Sequence, residues 1–415
     1  MSGWIDHTIW WHVYPLGFAG APIRPTAEER ALSPRLDRLL PWLDYLIELG
    51  ANGLALGPIF QSESHGYDTV DFFRIDPRLG DDTTFDRLAT ACRERGIHLM
   101  LDGVFNHVGT GHPLFQAALA GKDPDAETMF RIHRTETGVH YDDFEGHQAL
   151  PALNHDSPVV VNRVADVMCH WLRRGASAWR LDAAYAVKPE FWARVLPRVR
   201  AEFPDVWIVG EVIHGDYPDI VRRSGMDSVT QYELWKAAWS SLLDGNFFEL
   251  DWCLKRHNNF LASFVPMTFI GNHDVTRIAS RIGNDKAALA ATILFTVGGI
   301  PSIYYGDEQA FRGVKTDREG GDDEVRPAFP DTPSALSPLG EPMRRIHHDL
   351  IGLRRHNPWL VNATTTPVHL ENRTFAYDAI GREEGQRLHV SLRLDPSPMA
   401  DIHTADGTHL LHVGA

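Results

Sequence analysis

The chain has 415 residues, which is enough for one large barrel-type domain and a smaller second domain. Its content of 43% hydrophobic and 23% charged residues is ordinary for a globular protein. The formal net charge of -15 argues against nucleic-acid or anionic-membrane partners, which favour a basic surface, so a neutral substrate fits better.

Cysteine usage and hydropathy favour a cytoplasmic protein with no membrane partner. The three cysteines are far apart and form no CxxC pair: Cys92, Cys169 and Cys253. Cys92 and Cys169 fall on apolar helix faces and are expected to pack in the core. The N-terminal residues lack the basic and apolar segments of a signal peptide. An uncharged run over 287–305 could span a membrane, but two glycines and a proline divide it into a helix and a strand.

Strand and helix signals alternate along most of the chain. Strands are predicted at 9–14, 53–56, 97–102, 175–182, 206–211, 227–230, 267–270 and 300–304. Between them lie helical patterns, such as the apolar face of Phe85, Leu88 and Cys92. Another begins with Pro158 at the first helical position. Eight strands that alternate with helices predict an α/β fold of the (β/α)8 TIM-barrel type.

The remaining segments divide the chain into domains. Residues 109–156, rich in His, Gly, Asp and Pro, are predicted to form a small domain inserted after strand three. Residues 1–108 and 157–356 would then form the barrel. From residue 357 onward, short apolar stretches separated by turn residues predict a small C-terminal β domain over 357–415.

Four of the predicted strands end in groups that can do chemistry. They are Asp102-Gly-Val-Phe-Asn-His107, Arg180-Leu-Asp182, Gly210-Glu211 and Asn272-His273-Asp274. Each alone could be a helix cap, a turn or a structural ion pair. If strands three, four, five and seven share one rim of a barrel, however, these groups converge on a single pocket. So many buried charges are costly to fold around, which favours a functional origin.

Glycoside cleavage requires this kind of set. One carboxylic acid protonates the leaving oxygen, and a second carboxylate stabilises or attacks the anomeric carbon. Asp182 follows Arg180 by two residues, so on a strand both side chains point to the same face. The neighbouring arginine would keep Asp182 ionised, which suits a nucleophile. Glu211, with acidic neighbours, suits the general acid. Two histidines, His107 and His273, can donate hydrogen bonds to sugar hydroxyls.

These residues closely resemble the α-amylase superfamily, glycoside hydrolase family 13, from about residue 10 to residue 350. DGVFNH, WRLDAA, GEV and FIGNHD look like its four core regions, and HGYD, LPALNH and PSIYYGDE resemble its supporting ones. Seven motifs in sequence order are far more specific than any one of them.

The resemblance implies a role for each site residue. Asp182 would be the nucleophile, Glu211 the general acid/base, and Asp274 the carboxylate that grips and distorts the sugar. The residues implied to bind sugar are Tyr67, Asp68, His107, Arg180, His273, Asp322 and Arg326. Tyr67 would stack on the sugar ring, and the loop with Asp322 and Arg326 would hold the non-reducing sugar.

The sequence departs from the family pattern after Asp182. Many endo-acting members have Lys-His there, whereas this chain has Ala183-Ala184-Tyr185. The change affects the usual leaving-side sugar contacts and a backbone ligand of the family calcium site. Asn106 matches another calcium ligand, but no calcium-binding loop is apparent near the N-terminus. We therefore expect no required cofactor, with structural calcium absent or weakly bound.

The predicted function is a retaining hydrolase that cleaves α-1,4-glucosidic bonds in malto-oligosaccharides through a covalent glycosyl-Asp intermediate. A transglycosylase or an isomerase, trehalose-forming or sucrose-acting, would use the same carboxylates. A non-catalytic partner subunit of a membrane transporter is the third alternative, but such relatives lack the carboxylates. The sequence leaves chain-length preference, endo or exo attack and oligomeric state open.

Overall fold

The structure is a computed structural model that describes residues 3–136 and 138–414. Its contacts divide it into two compact units. The first unit contains the residues up to Val13, then Asp44–Gly53, and the chain from Ser228 onward. The second unit contains Tyr14–Leu43 and Leu54–Asp227.

In the described residues the strands are β1 Trp10–Val13, β2 Gly53–Leu56, β3 Phe60–Ser62, β4 Thr69–Ile75, β5 His98–Gly103, β6 Ile132–Thr135, β7 Gly138–Tyr141, β8 Asp143–Phe144, β9 His147–Pro151, β10 Ala178–Leu181, β11 Trp207–Gly210, β12 Ser228–Val229, β13 Met267–Phe269, β14 Ile300–Tyr304, β15 Thr364–Leu370, β16 Thr374–Ile380, β17 Arg387–Arg393, β18 Met399–Thr404 and β19 His409–Gly414. The α-helices are α1 Pro15–Phe18, α2 Trp42–Leu49, α3 Asp82–Glu94, α4 Pro113–Leu119, α5 Pro124–Thr128, α6 Pro158–Arg173, α7 Pro189–Glu202, α8 Tyr217–Ser224, α9 Tyr232–Asp244, α10 Phe248–Leu261, α11 Ile278–Ile282, α12 Asn284–Thr296 and α13 Glu341–His356.

Eight strands form one sheet in the order β12-β11-β10-β5-β2-β1-β14-β13. The pairs β10–β11, β10–β5, β1–β14 and β13–β14 run parallel. A parallel bridge between Thr230 and Met267 joins the two ends of this order. Helices separate the strands along the chain, as right-handed crossovers between parallel strands require. The predicted (β/α)8 barrel is therefore confirmed.

The barrel strands are short and buried at almost every position. In β10 all four residues are buried, and so are all five in β14. Strands covered on both faces require apolar side chains in succession, which explains why the sequence shows runs rather than alternation. The uncharged run over 287–305 is divided as predicted, since α12 ends at Thr296 and β14 begins at Ile300. None of the described helices is both long and apolar enough to cross a membrane.

Two local features differ from simple pattern reading. The HGYD motif lies in the loop that the sequence predicts, and this loop connects two short paired strands, β3 and β4, that the sequence pattern does not predict. From the apolar pattern of α3, the sequence predicts a cap at Asp82 or Thr83, but the helix is capped by Asp81, whose carboxylate accepts the amide of Thr84. The capping side chain must precede the first helical residue, because it replaces a missing helical acceptor.

The segments predicted as an inserted domain and a C-terminal domain each have secondary structure of their own. The span 109–156 holds α4, α5 and two hairpins, β6–β7 and β8–β9. The C-terminal residues form an antiparallel five-stranded sheet in the order β15-β16-β17-β18-β19, so the predicted β appendix is confirmed. The exact domain boundaries stay predictions. All three cysteines are buried and free of disulfides.

Candidate active site

Arg180, in β10, is the centre of a buried charge cluster in the second unit. Its Nη1 atom donates to both carboxylate oxygens of Asp102, at 2.7 and 2.6 Å. The same nitrogen lies 3.3 Å from Asp182 Oδ1, and Nη2 lies 2.8 Å from Glu211 Oε1. The three carboxylate side chains are at most 10% exposed. Arg180 therefore joins three carboxylates at the carboxyl ends of neighbouring strands.

This geometry refines the expectation that Arg180 is chiefly the partner of Asp182. Asp102 lies directly opposite Arg180 in the register of β5 and β10, and it receives the two shortest contacts. The contact with Asp182 is the longest of the set. One face of the Asp182 carboxylate is therefore less constrained by the arginine, as a nucleophile requires.

The backbone after Asp182 fixes the position of Glu211. Ala183 adopts a left-handed conformation with φ 46°, and its amide donates to Glu211 Oε2 at 3.0 Å. The amide of Tyr185 donates to the Glu211 carbonyl at 3.1 Å. Left-handed backbone is strained for a residue with a Cβ, and such strain is concentrated at functional sites. The turn thus positions the carboxylate of Glu211 through its own amide.

Tyr67 and His107 lie next to this cluster. The hydroxyl of Tyr67 donates to Asp102 Oδ2 at 3.2 Å, and the Tyr67 carbonyl is 3.0 Å from His107 Nε2. The side-chain amide nitrogen of Asn106 donates to His107 Nδ1 at 3.1 Å. His107 therefore carries its proton on Nε2, and burial lowers its pKa to about 4. It is a neutral imidazole whose two ring nitrogens are both engaged.

Asp68, the last residue of HGYD, is buried beside these groups. Its Oδ2 accepts a hydrogen bond from the Ser64 hydroxyl at 2.5 Å, while Oδ1 is buried with no hydrogen-bond partner. A buried carboxylate oxygen with an unused acceptor position is costly unless a ligand supplies the donor. This arrangement is consistent with the predicted sugar-binding role of Asp68, since a sugar hydroxyl can be that donor.

A second cluster lies in the first unit and is organised by Arg326. Its Nη2 atom lies 2.8 Å from Asp274 Oδ1 and 3.1 Å from Asp322 Oδ2, and its Nε donates to the His273 carbonyl. His273 Nε2 is 2.9 Å from Asp274 Oδ2. Lys315 Nζ lies 3.3 Å from Asp322 Oδ1. This unit thus brings together four predicted site residues: His273, Asp274, Asp322 and Arg326.

The calcium expectation can be compared with the donors present. The side-chain amide nitrogen of Asn106, the tentative ligand, donates a hydrogen bond to His107 Nδ1. Asn106 also lines a cavity of about 560 Å³. The cavity wall also carries two cations, Arg131 and Lys188, and four carboxylates, Asp142, Asp143, Glu145 and Asp156. Among residues 3–136 and 138–414, no three His, Cys, Asp or Glu side chains are grouped as metal ligands. The expectation that calcium is absent or weakly bound stays a prediction, and we derive no catalytic step from a metal ion.

Sequence reasoning missed the role of one site residue. Asp102 was visible in the DGVFNH motif, but the register that places it opposite Arg180 depends on strand pairing. The hydrogen bond from Tyr185 to Glu145, at 3.0 Å, joins positions far apart in the chain. No local sequence pattern predicts this hydrogen bond, because a contact between distant segments leaves no periodicity in the sequence.

The fold and the charge clusters define the class of protein. A (β/α)8 barrel with arginine-held carboxylates after its strands has the constituents of a glycosidase active site. A family model described as alpha amylase, catalytic domain, matches residues 36–365. The chain therefore belongs to the α-amylase family of glycoside hydrolases.

Curated relatives match about three quarters of this chain. A cyclomaltodextrinase from Geobacillus thermopakistaniensis (strain MAS1) is 34% identical over 350 residues, which are 78% of this chain and 58% of the relative. An intracellular maltogenic amylase from Bacillus subtilis (strain 168) is 31% identical over 342 residues, 75% of this chain and 56% of the relative. This chain thus spans less than two thirds of the length of these relatives.

A solved structure matches over almost the whole chain. It is the cyclic alpha-maltosyl-(1→6)-maltose hydrolase from Arthrobacter globiformis, in complex with cyclic alpha-maltosyl-(1→6)-maltose. It is 25% identical with a TM-score of 0.80, and the match covers 94% of this chain and 91% of that chain.

Proposed function

We propose that this protein is a retaining glycoside hydrolase that cleaves α-1,4-glucosidic bonds in malto-oligosaccharides. One observation carries the proposal: Arg180 contacts both Asp182 and Glu211, whose strands β10 and β11 are neighbours in the barrel. A nucleophile and a general acid must act on the same bond, and a shared arginine holds both carboxylates close to one point.

The chemistry assigned to these residues has two half-reactions. In the first, an oxygen of Asp182 bonds to the anomeric carbon while the glycosidic C–O bond breaks and Glu211 protonates the leaving oxygen. In the second, ionised Glu211 takes a proton from water, the water oxygen bonds to the anomeric carbon, and Asp182 is released. Arg180 Nη2 contacts Glu211 Oε1 and the Ala183 amide donates to Oε2, so the carboxyl group is held in one orientation through both reactions.

The other predicted residues bind the sugar or position the groups that bind it in this proposal. His107 Nε2–H already donates to the Tyr67 carbonyl, so the fixed imidazole supports Tyr67 and keeps its ring in place to stack on a sugar. Asp274 is the carboxylate that grips and distorts the sugar, and it is one-third exposed, which leaves it open to a hydroxyl. Arg326 and His273 orient that carboxylate, and Asp322 contacts the same Nη2 atom of Arg326.

The substrate class rests on the relatives. A cyclomaltodextrinase, maltogenic amylases and a neopullulanase are similar to this chain, and all are named for α-glucans or their products. We extend that class to this chain as a linear or cyclic maltodextrin. The relative named intracellular supports the predicted cytoplasmic location.

A product time course tests the proposal. The purified chain would be incubated with maltose, maltotriose, maltoheptaose, trehalose and sucrose, with and without a chelator. We expect glucose or maltose from the maltodextrins, at a rate that the chelator leaves unchanged. Longer chains or rearranged disaccharides would favour the transglycosylase or isomerase alternative. Absence of turnover on every α-glucoside would refute the proposed function and leave the non-catalytic alternative.

A further inference from the structure

Two adjacent tyrosines lie at the carboxyl end of strand β14, within the PSIYYGDE motif. Tyr304 is the last residue of the strand and Tyr305 comes next, and both are fully buried in the first unit. The hydroxyl of Tyr304 donates to the Val325 carbonyl at 2.8 Å, and that of Tyr305 donates to the Pro327 carbonyl at 2.8 Å. The two hydrogen bonds therefore hold the backbone on either side of Arg326.

The segment that carries Arg326 is exposed on its outer side. Asp323 and Glu324 are exposed, whereas Val325 and Arg326 are buried. The amides of Val325 and Arg326 each donate to the carbonyl three residues earlier, both at 3.1 Å, in a single 3₁₀ turn. Such a turn orders only a few residues, and Pro327 has no N–H, so its carbonyl is its only backbone hydrogen-bonding group. The tyrosine hydroxyls attach this turn to a barrel strand.

Arg277 holds the rings of the two tyrosines in place. The central carbon of its guanidinium lies 4.5 Å from the centre of the Tyr304 ring and 5.3 Å from that of Tyr305. Its Nη1 atom donates to the Tyr305 carbonyl at 2.9 Å and to Asp307 Oδ1 at 3.0 Å. Burial raises the pKa of Tyr304 well above its ordinary value, so this phenol remains a neutral donor. The hydroxyls thus belong to rigid rings, which a device that positions another residue requires.

The side chain of Arg326 links this segment to Asp274, the carboxylate proposed to grip the sugar. Its Nη2 atom lies 2.8 Å from Asp274 Oδ1, and its Nε donates to the His273 carbonyl at 2.9 Å. An arginine side chain has many rotamers, so the position of its guanidinium depends on how firmly its backbone is held. A displacement of about 1 Å at a substrate-positioning group can reduce a rate by about 10²-fold. The two hydroxyls therefore act on Asp274 through the backbone of Arg326.

We propose that Tyr304 and Tyr305 are positioning residues, whose hydroxyls hold the backbone on both sides of Arg326 and so set the position of the Asp274 carboxylate. The inference rests on the proposed function, in which Asp274 binds the sugar, and it adds two residues that lie outside the sugar-binding set. Because both tyrosines are fully buried, neither touches the substrate or exchanges a proton in the reaction. Their contribution is that Arg326 and Asp274 are in place before the sugar binds.

Two conservative variants test the inference. Tyr304→Phe and Tyr305→Phe each keep the ring and remove one hydroxyl. The kcat and KM for maltotriose are measured for both variants, for the double variant, and for the same changes in an Arg326→Leu background. Tyr377→Phe is the matched control, since Tyr377 is also fully buried but its hydroxyl pairs with Thr296 in helix α12 rather than with the Arg326 segment.

We expect each single variant to lower kcat/KM about fivefold, because a carbonyl next to Arg326 loses its donor and the segment shifts. The double variant should lose about 20-fold. In the Arg326→Leu background the same changes should alter kcat/KM by less than about twofold, because the residue through which they act has been removed. Tyr377→Phe should stay within about twofold of wild type, although it too removes a buried hydroxyl.

Hydrogen exchange gives a readout that does not depend on turnover. Mass spectrometry follows exchange of the backbone amides in the turn that precedes Arg326, residues 323–326. We expect this exchange to be about tenfold faster in Tyr304→Phe and Tyr305→Phe than in wild type, because the turn opens more often once a hydroxyl is lost. Tyr377→Phe should exchange at the wild-type rate in this segment.

Three results would overturn the inference. Unchanged exchange in the two variants would mean that the hydroxyls do not hold the segment. Losses that add fully to that of Arg326→Leu would mean that the hydroxyls act elsewhere, and an equal loss in Tyr377→Phe would mean that any buried hydroxyl has this effect. Absence of turnover by the wild-type chain would instead refute the proposed function, while the exchange measurement would still test the hold on Arg326, so the two failures are distinguishable.

Discussion

The clusters around Arg180 and Arg326 use the same groups at very different degrees of burial. Arg180 is 8% exposed, and the carboxylates that it contacts, Asp102, Asp182 and Glu211, are 0 to 10% exposed. Arg326 is equally buried at 6%, but its partners Asp274 and Asp322 are 33% and 32% exposed. One arginine organises a desolvated charge network, whereas the other holds carboxylates that water still reaches.

The difference separates two demands on an active site. Carboxylates that act on a bond benefit from a low-dielectric environment, where fixed charges and hydrogen bonds have strong effects. Carboxylates that grip hydroxyls must exchange water for sugar, so they remain accessible. The first arrangement is costly to fold, since buried charges lose hydration, and Arg180 with its several contacts offsets that cost. The following experiments test whether this contrast is real.

Loss of the nucleophile should have the largest effect. Asp182→Asn keeps the shape of the side chain but cannot form the glycosyl-enzyme, so we expect activity to fall by roughly four or more orders of magnitude. The loss should apply both to maltotriose and to an aryl α-glucoside, measured as kcat/KM. If either substrate were still cleaved at a substantial rate, the nucleophile would lie elsewhere. Asp322→Asn, in the more open cluster, is the matched control and should mainly raise KM.

Loss of the general acid should discriminate between substrates. Glu211→Gln removes the proton donor, and we expect a fall of about 10²- to 10⁴-fold on maltotriose. An aryl glycoside, whose leaving group departs without protonation, should retain a substantial part of its bond-cleavage rate, measured as the initial burst. An equal loss on both substrates would argue against the acid role of Glu211.

The arginines should differ in their effect on stability. Arg180→Leu leaves three buried carboxylates without their shared cation, and we expect the free energy of unfolding to fall by about 3–5 kcal/mol. Arg326→Leu leaves carboxylates that water can solvate, and a fall of about 1 kcal/mol is expected. Urea unfolding of both variants at one pH measures the difference. Equal losses would mean that burial does not distinguish the two clusters.

His107 should give the Arg180 region a pH dependence of stability. Its pKa is lowered from the ordinary 6.5 to about 4 in the folded protein, so the unfolded chain binds a proton first as the pH falls. The stability that neutral His107 contributes is present above about pH 6.5 and is lost towards pH 4. Between pH 7 and pH 5, wild type should lose about 2 kcal/mol more than His107→Gln does.

Urea unfolding of the two proteins at both pH values measures the His107 effect. His140→Gln, a change of an exposed histidine in the inserted segment, is the control and should follow wild type. The same pH dependence in wild type and in His107→Gln would show that protonation of this residue is not linked to unfolding.

Much of the fold was predictable because it has local causes. The strands at 53–56 and 300–304 lie where the apolar runs predict them, as parallel strands buried on both faces need uninterrupted apolar side chains. The small C-terminal β domain was evident from its change of pattern. The strand pair on either side of HGYD was missed, because its polar residues follow neither a period of two nor a clear turn signal.

The site was predictable only as a list of residues. The motifs name Asp182, Glu211 and Asp274, and order along the chain makes the family resemblance specific. The sequence did not reveal that Arg180 makes its closest contacts with Asp102 and Glu211, because this depends on the register of three strands. Side-chain alternation predicts which face a residue occupies, but not which neighbour it meets.

The sequence by itself determined the barrel, its appendices and the identity of the acidic groups after its strands. These features follow from hydrophobic periodicity and turn residues, which act over a few positions of the chain. Only the tertiary structure decided the charge partners, the burial of each carboxylate and long-range contacts such as the hydrogen bond from Tyr185 to Glu145. Those properties depend on contacts between distant segments, and the energy of a charge depends on the surrounding dielectric, which exists only once the chain has folded.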